Sequence, residues 1–173
     1  MKNDYEVLGE TTVIFMKRRN GNVLSTYIDT NDLDKLKSHK GSWYANYHKK
    51  SNGYYVMSNF KKTDGSYTLI GLHRFLMDSP KGKVVDHIDR NTLNNKRDNL
   101  RVVTQAQNNQ NTRLQRNSKS GVRGVYWCKH RNIWRAYVKH QGRNHYFGNH
   151  KEIDEAERAA IEGRKILLPF ANE

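Results

Sequence analysis

Residues 84–108 read VVDHIDRNTLNNKRDNLRVVTQAQN. Two short apolar runs, Val84-Val85 and residues 100–103, have strand character. Between them lies a loop crowded with Asn, Asp, Lys and Arg, residues that turn easily and bond their own backbone. Thr104, with Gln107 three residues on, forms a capping box that predicts a helix from that point. Strand, polar loop, strand, helix concentrates more carboxylates and amides than a plain connection needs, so the stretch is expected to hold something.

The arrangement has a chemical logic. Asp86 places a hard oxygen ligand at the end of the first strand, and Asn108 lies about one turn into the predicted helix. A carboxylate oxygen plus an amide oxygen, completed by water and phosphate oxygens, suits magnesium or manganese rather than zinc. His87, beside Asp86, takes a proton from water near neutral pH. Consecutive side chains of a regular strand point to opposite faces. For Asp86 and His87 to serve one site, the strand must end or bulge within residues 88–91.

Asp86-His87, then Asn99 in an NLR tripeptide, then Asn108 resembles the His-Asn-Asn version of the HNH endonuclease motif of phage and homing nucleases. The resemblance implies a ββα-metal finger with one divalent ion, Mg2+ or Mn2+. By it, His87 is the general base, Asp86 and Asn108 bind the metal, and Asn99 braces the loop. It also implies 5′-phosphate and 3′-hydroxyl products. His73-Arg74 precede the motif much as an HR pair does in this family, which makes Arg74 a phosphate candidate and His73 a support for the site; Arg101 is a further candidate for either role. The apolar neighbours Leu72, Phe75 and Leu76 favour the plainer reading of His73 as a packed residue.

Of the 173 residues, 35% are hydrophobic, and the mean hydropathy is -0.99. Such a chain is expected to fold as small modules rather than around one large core. No apolar run is long enough to span a membrane, and the first residues lack a signal-peptide pattern. A single cysteine, Cys128, excludes an internal disulfide and the paired cysteines with which some HNH proteins bind structural zinc. The expectation is an intracellular, zinc-free protein, more readily a monomer than a dimer. The net charge of +14 comes from 31 Lys and Arg against 17 Asp and Glu. Residues 109–150 carry 9 of the basic side chains and no acidic one. A block of that kind points to double-stranded DNA as partner, and it lacks the basic amphipathic helix that would lie on a membrane.

Ahead of the motif, residues 1–65 alternate apolar and polar in short pieces: 12–16, 23–28, 43–47 and 54–60. Gly21 and Gly53 mark tight turns, and Thr30-Asn31-Asp32 precede a short helix over 33–39. Trp43, Tyr44, Tyr47, Tyr54 and Tyr55 are expected to fill a small core rather than stack on bases. Residues 66–80 predict a strand running into a short helix that stops before Pro80.

Behind the motif, residues 116–121 read as a basic linker and 122–173 as a separate domain. Three aromatic-rich strands break at 129–132 and 141–143. Trp134, Ala136 and Val138 share one face of the middle strand, and Arg135, Tyr137 and Lys139 share the other. A helix over 152–168 supplies Ala156, Ala159 and Ala160 for close approach, with an acidic first turn that complements its dipole. RGV at 123–125, WRAYVK at 134–139, YFG at 146–148 and Asp154-Glu155-Ala156 resemble the plant ethylene-response-factor (ERF) DNA-binding domain. That resemblance implies a sheet lying in the major groove, with Arg123, Tyr126, Arg135, Tyr137, Lys139, Asn144 and Tyr146 facing DNA. Tyr126 and Cys128 depart from the family, which has basic residues there, as does His145, where it has an apolar one. Trp127 and Trp134 are expected in the core.

The expected fold class is therefore α+β: a β-rich N-terminal unit (1–65), a ββα-metal finger (66–115), the linker, and a three-stranded antiparallel sheet packed on one helix. The expected function is a metal-dependent DNA endonuclease that nicks. A DNA-binding regulator that no longer cuts is the alternative, and a three-way count of Asp86, His87 and Asn108 argues against it.

Overall fold

Short alternating segments make short strands, and the described residues form four small antiparallel sheets rather than one large one. The computed structural model describes residues 1–49, 51–112, 114 and 118–172. It is a mixed α and β protein that divides into two compact units, Met1–Gln105 and Ala106–Glu173. Arg116 and Asn117, the first residues of the expected linker, lie outside the described residues, as does the 115/116 boundary.

In the first unit, β1 (Tyr5–Leu8), β2 (Thr11–Lys17) and β3 (Val23–Asp29) form one sheet. A second sheet joins β4 (Tyr44–His48), β5 (Gly53–Lys61) and β6 (Tyr67–Gly71), and the third is the pair β7 (Val84–His87) and β8 (Leu100–Val103). Two short helices, α1 (Leu33–Ser38) and α2 (Leu72–Leu76), complete the unit. The predicted strands and helices fall where the alternation places them, apart from β1, an exposed edge strand whose YEVL shows no buried face. The turn before β5 is made by Asn52, at φ +48, while Gly53 begins the strand.

The N-terminal strands and the β7–β8 pair do not have a core each. Ile14 and Ile28 of the first sheet, Leu36 of α1, Val56 of β5, Leu72 and Leu76 of α2, and Val85 and Leu100 pack into one cluster. A two-stranded ribbon with four residues a side is not stable alone. Its few apolar side chains find their burial against the strands that precede it. Trp43 lies in this core at 1% exposure, whereas Tyr44 and Tyr47 are exposed and Tyr54 and Tyr55 half-buried, so the aromatic group splits instead of filling the core together.

α3 (Gln105–Asn108) is a single helical turn, far shorter than the capping box suggested. The N–H groups of Gln110 and Asn111 turn back to the carbonyls three residues earlier. A polar sequence with almost nothing to bury gains little from extending a helix.

In the second unit, β10 (Ile133–His140) is the centre of a sheet with β9 (Val125–Cys128) and β11 (Arg143–His150), and α4 (Ile153–Leu167) covers one face. Ala156 and Ala160 are fully buried with Val125 and Ala136, and Trp134 and Phe147 pack at the edge. Two glycines permit the contact. Gly124 sits at φ +79 with the Tyr137 carbonyl 2.5 Å from where its Cβ would lie, and at Gly163 a Cβ would stand 2.6 Å from the Phe147 ring. Trp134 is partly buried as expected, but Trp127 is 43% exposed and meets Trp134 edge-on at 5.0 Å. Among the described residues no helix is long and apolar enough to cross a membrane.

Candidate active site

β7 ends at His87, and the chain turns at once. The Arg90 N–H donates to the His87 carbonyl, 3.0 Å, and Arg90 takes φ +63, a conformation uncommon outside glycine. The loop that follows is fastened by Asn99. Its Nδ2 donates to the Asn94 carbonyl, 2.8 Å, and its Oδ1 accepts from the Asp89 N–H, 2.9 Å. One buried amide thus ties the end of the loop to its start and its middle. Asp89 ties the tip by accepting from the Asn91 N–H, 2.7 Å, and from Asn94 Nδ2, 2.8 Å. Burial alone would raise its carboxyl; these bonds and one from Asn99 outweigh it and set the group below its ordinary value.

His87 is 4% exposed. Its Nε2 lies 3.2 Å from Asn95 Oδ1, and its ring meets those of His73 at 5.1 Å and Tyr55 at 6.2 Å. Burial pushes the imidazole below its ordinary pKa, against the opposing effects of the Asn95 bond and the charges of Asp89 and Asp86. His73 is pushed down to about 3, by burial first and then by the neighbouring His87 and Arg74. Both rings are therefore neutral at neutral pH, and a neutral ring is the form that accepts a proton.

Asp86 is 7% exposed and paired across the ladder with Arg101. Arg101 donates to Asp86 Oδ2 from Nε, 3.0 Å, and from Nη2, 2.7 Å. Arg74 turns Nη1 to the Lys83 carbonyl, 3.0 Å, at the mouth of β7. The first unit thus contains Asp86, His87, Asn99, Arg101, His73 and Arg74. Asn108 is half-buried at the end of α3 and belongs to the second unit, the division falling between Gln105 and Ala106 inside that turn. Among the described residues no three His, Cys, Asp or Glu side chains gather as a metal cluster.

Sequence reasoning passed over what holds the loop from behind. Asn95, fully buried, was one amide among many in LNNKRDN. Its N–H donates to the Tyr27 carbonyl, 2.8 Å, and the Tyr27 N–H to the Leu93 carbonyl, 3.0 Å. Thr92 Oγ1 donates to the Tyr54 carbonyl, 2.6 Å. Arg97 grips Asp32 through Nε, 2.8 Å, and Nη2, 2.6 Å, while its N–H meets Asp29 Oδ2, 2.7 Å. The loop is bound to three N-terminal elements that lie some distance away in sequence.

In the second unit, the face of the sheet away from α4 carries Tyr126, Arg135, Tyr137, Lys139, Asn144 and Tyr146. Arg135 pairs with Tyr126, Tyr137 with Tyr146, and Lys139 with Asn144. The Arg135 guanidinium stands 4.8 Å from the Tyr146 ring centre and 5.8 Å from that of Tyr126, and its Nε is buried with no hydrogen-bond partner among the described residues. Tyr146 is 56% exposed. Arg123 is turned otherwise: its Nη2 donates to the Gln110 carbonyl, 2.9 Å, within the unit.

Residues 78–110 match the family model for the HNH endonuclease. That stretch contains Asp86, His87, Asn99, Arg101 and Asn108. The chain is also similar to Protein 3.8 of Escherichia phage T7, 41% identical over 68 residues, which is 39% of this chain and 56% of that protein. The chain thus spans little more than half the length of this relative. No solved structure matches.

Proposed function

We propose that the chain is a metal-dependent DNA endonuclease of the HNH type, phage-encoded or homing, that nicks duplex DNA gripped by its C-terminal sheet. The observation that carries the reading is His87: a buried, neutral imidazole following a carboxylate at a strand end, inside the stretch that matches HNH endonucleases. Asp86 and Asn108 would hold one Mg2+ or Mn2+ ion. Their chemistry fits, since a carboxylate oxygen and an amide oxygen are the hard donors such a cation takes, and no thiolate set for zinc is called for. When bound, the cation supplies Lewis acidity to the scissile phosphate and to the 3′ oxygen that leaves.

The chain's own residues do the remainder. His87 removes the proton of a water in line with the phosphorus. Asn99 keeps the loop closed so that the imidazole stays at the strand end. Arg101 steadies the Asp86 carboxylate, Arg74 and Arg101 are the candidate phosphate partners, and His73 packs behind the base. Tyr126, Arg135, Tyr137, Lys139, Asn144 and Tyr146 form the DNA-facing surface of an ERF-like sheet, with Arg123 beside it. One finger acting as a monomer cuts one strand per encounter, which makes a nick the expected product.

The test is conversion of supercoiled plasmid to nicked circles with Mg2+ or Mn2+, followed by sequencing of the ends. Nicks bearing 5′-phosphate and 3′-hydroxyl, absent with His87→Ala, are expected. A second reading draws on the Arg101–Asp86 ion pair, in which a guanidinium already sits on the carboxylate that a cation would need. In that case the chain is a DNA-binding regulator, and the same assay returns DNA binding with no nick in either ion.

A further inference from the structure

The side chains behind His87 have hydrogens that fit in one way only. The Leu93 carbonyl has no hydrogen to give and lies 2.7 Å from Thr26 Oγ1, so the Thr26 hydroxyl donates to it. Thr26 Oγ1 is then the acceptor for Asn95 Nδ2 at 2.9 Å. The Thr92 carbonyl, 3.4 Å from the same Nδ2, also only accepts and points the amide the same way. Asn95 Oδ1 is therefore the atom turned to His87 Nε2, 3.2 Å away. An amide oxygen only accepts, so Nε2 carries the hydrogen and the lone pair of the neutral ring is on Nδ1.

We infer that Asn95, held by Thr26 of β3, is the positioning residue that fixes the orientation and tautomer of His87 and makes Nδ1 its basic atom. Asn95 touches no substrate; it acts through the imidazole. The relay starts at a backbone carbonyl and passes through two side chains, both at 0% exposure, from parts of the chain 69 residues apart. The backbone bonds between Asn95, Tyr27 and Leu93 do not depend on either side chain, so the segment keeps its path when one is replaced. The catalytic meaning of the relay rests on the nuclease reading above; the tautomer does not.

The test uses the full chain labelled with 15N-histidine, in neutral buffer, without metal or DNA. Long-range 1H–15N correlation separates the two tautomers, and His87→Gln identifies the signal. The wild type is expected to show Nε2–H. Asn95→Ala and Thr26→Val are expected to give mixed tautomers, and nicking turnover by Asn95→Ala should fall about 10-fold or more with KM within about 2-fold. Thr26→Ser, which keeps the hydroxyl but loses volume, should behave as wild type, whereas a packing role would make it worse than Thr26→Val. Should Asn95→Ala fail to fold, the Thr26 pair decides. An Nδ1–H wild type, or an unchanged tautomer in Thr26→Val and Asn95→Ala, overturns the inference. A fixed Nε2–H form in a chain that cuts nothing leaves the relay standing and removes the nuclease.

Discussion

The loop of residues 88–99 and the open face of the C-terminal sheet are both polar, and they treat polarity in opposite ways. In the loop, Asn95 and Asn99 are buried and each bonds several groups of the chain itself. On the sheet, Arg135 is wedged between two tyrosines with no hydrogen-bond partner for its Nε among the described residues, and Lys139, Asn144 and Tyr146 face outward. Chemistry needs atoms fixed before the substrate arrives, so that hydrogen-bonding capacity is spent internally. Binding a polyanion needs capacity left over. Interior loss should therefore change rates, and exterior loss should change affinity.

The sharpest way to break that division is His87→Ala. Nicking is expected to fall about 10²- to 10⁴-fold, with DNA affinity by gel shift within about 2-fold. Wild-type cleavage by this variant removes the base, and a matching loss of affinity removes the division itself. Asn99→Ala comes next: it opens two bonds at once and should cost about 1–3 kcal/mol in denaturant unfolding of the first unit. Gly124→Ala is its counterpart in the second unit, where positive φ and the Tyr137 carbonyl both oppose a Cβ. A loss of about 1–3 kcal/mol there, with the first unit's transition unmoved, would show that the units melt separately.

Arg135→Ala has a smaller effect, read in salt rather than in turnover. The slope of log affinity against log salt should become shallower by about 1, with turnover at saturating DNA unchanged. An unchanged slope means that Arg135 meets no phosphate. The last test concerns pH. The folded pKa of His73 is about 3, well below its ordinary 6.5. The unfolded chain therefore binds the extra proton first, and stability rises with pH across that interval. The stabilisation is complete above about 6.5 and is lost progressively as the pH falls toward about 3. His73→Phe should flatten the acid side of a stability profile, and an unaltered profile would place the effect on other groups.

What the sequence made legible was whatever repeats or stands in a fixed order. Alternation and short apolar runs located ten of the eleven strands among the described residues, and the stretch with Asp86, His87, Asn99 and Asn108 falls inside the 78–110 match to the HNH endonuclease model. The missing strand, Tyr5–Leu8, buries nothing, so periodicity had no pattern to find. The helix predicted from Thr104 is a single turn because a cap starts a helix but does not extend one; only burial along a face does, and α3 has none. Asn95 went unnoticed because its partner, Thr26, lies in another sheet, and a contact across 69 residues leaves no local mark. The same holds for Arg97, whose grip on Asp32 crosses 65 residues.

The core that Val85 and Leu100 share with Ile14, Ile28 and Val56 also decides what can be moved by engineering. Excising residues 66–108 for grafting onto a foreign host would carry over Asp86, His87, Asn99 and Asn108 while stripping the ribbon of its apolar backing. A graft that keeps this backing takes the whole span Met1–Gln105 with its continuation through Asn108, and a shorter piece would have to be given a new apolar floor first.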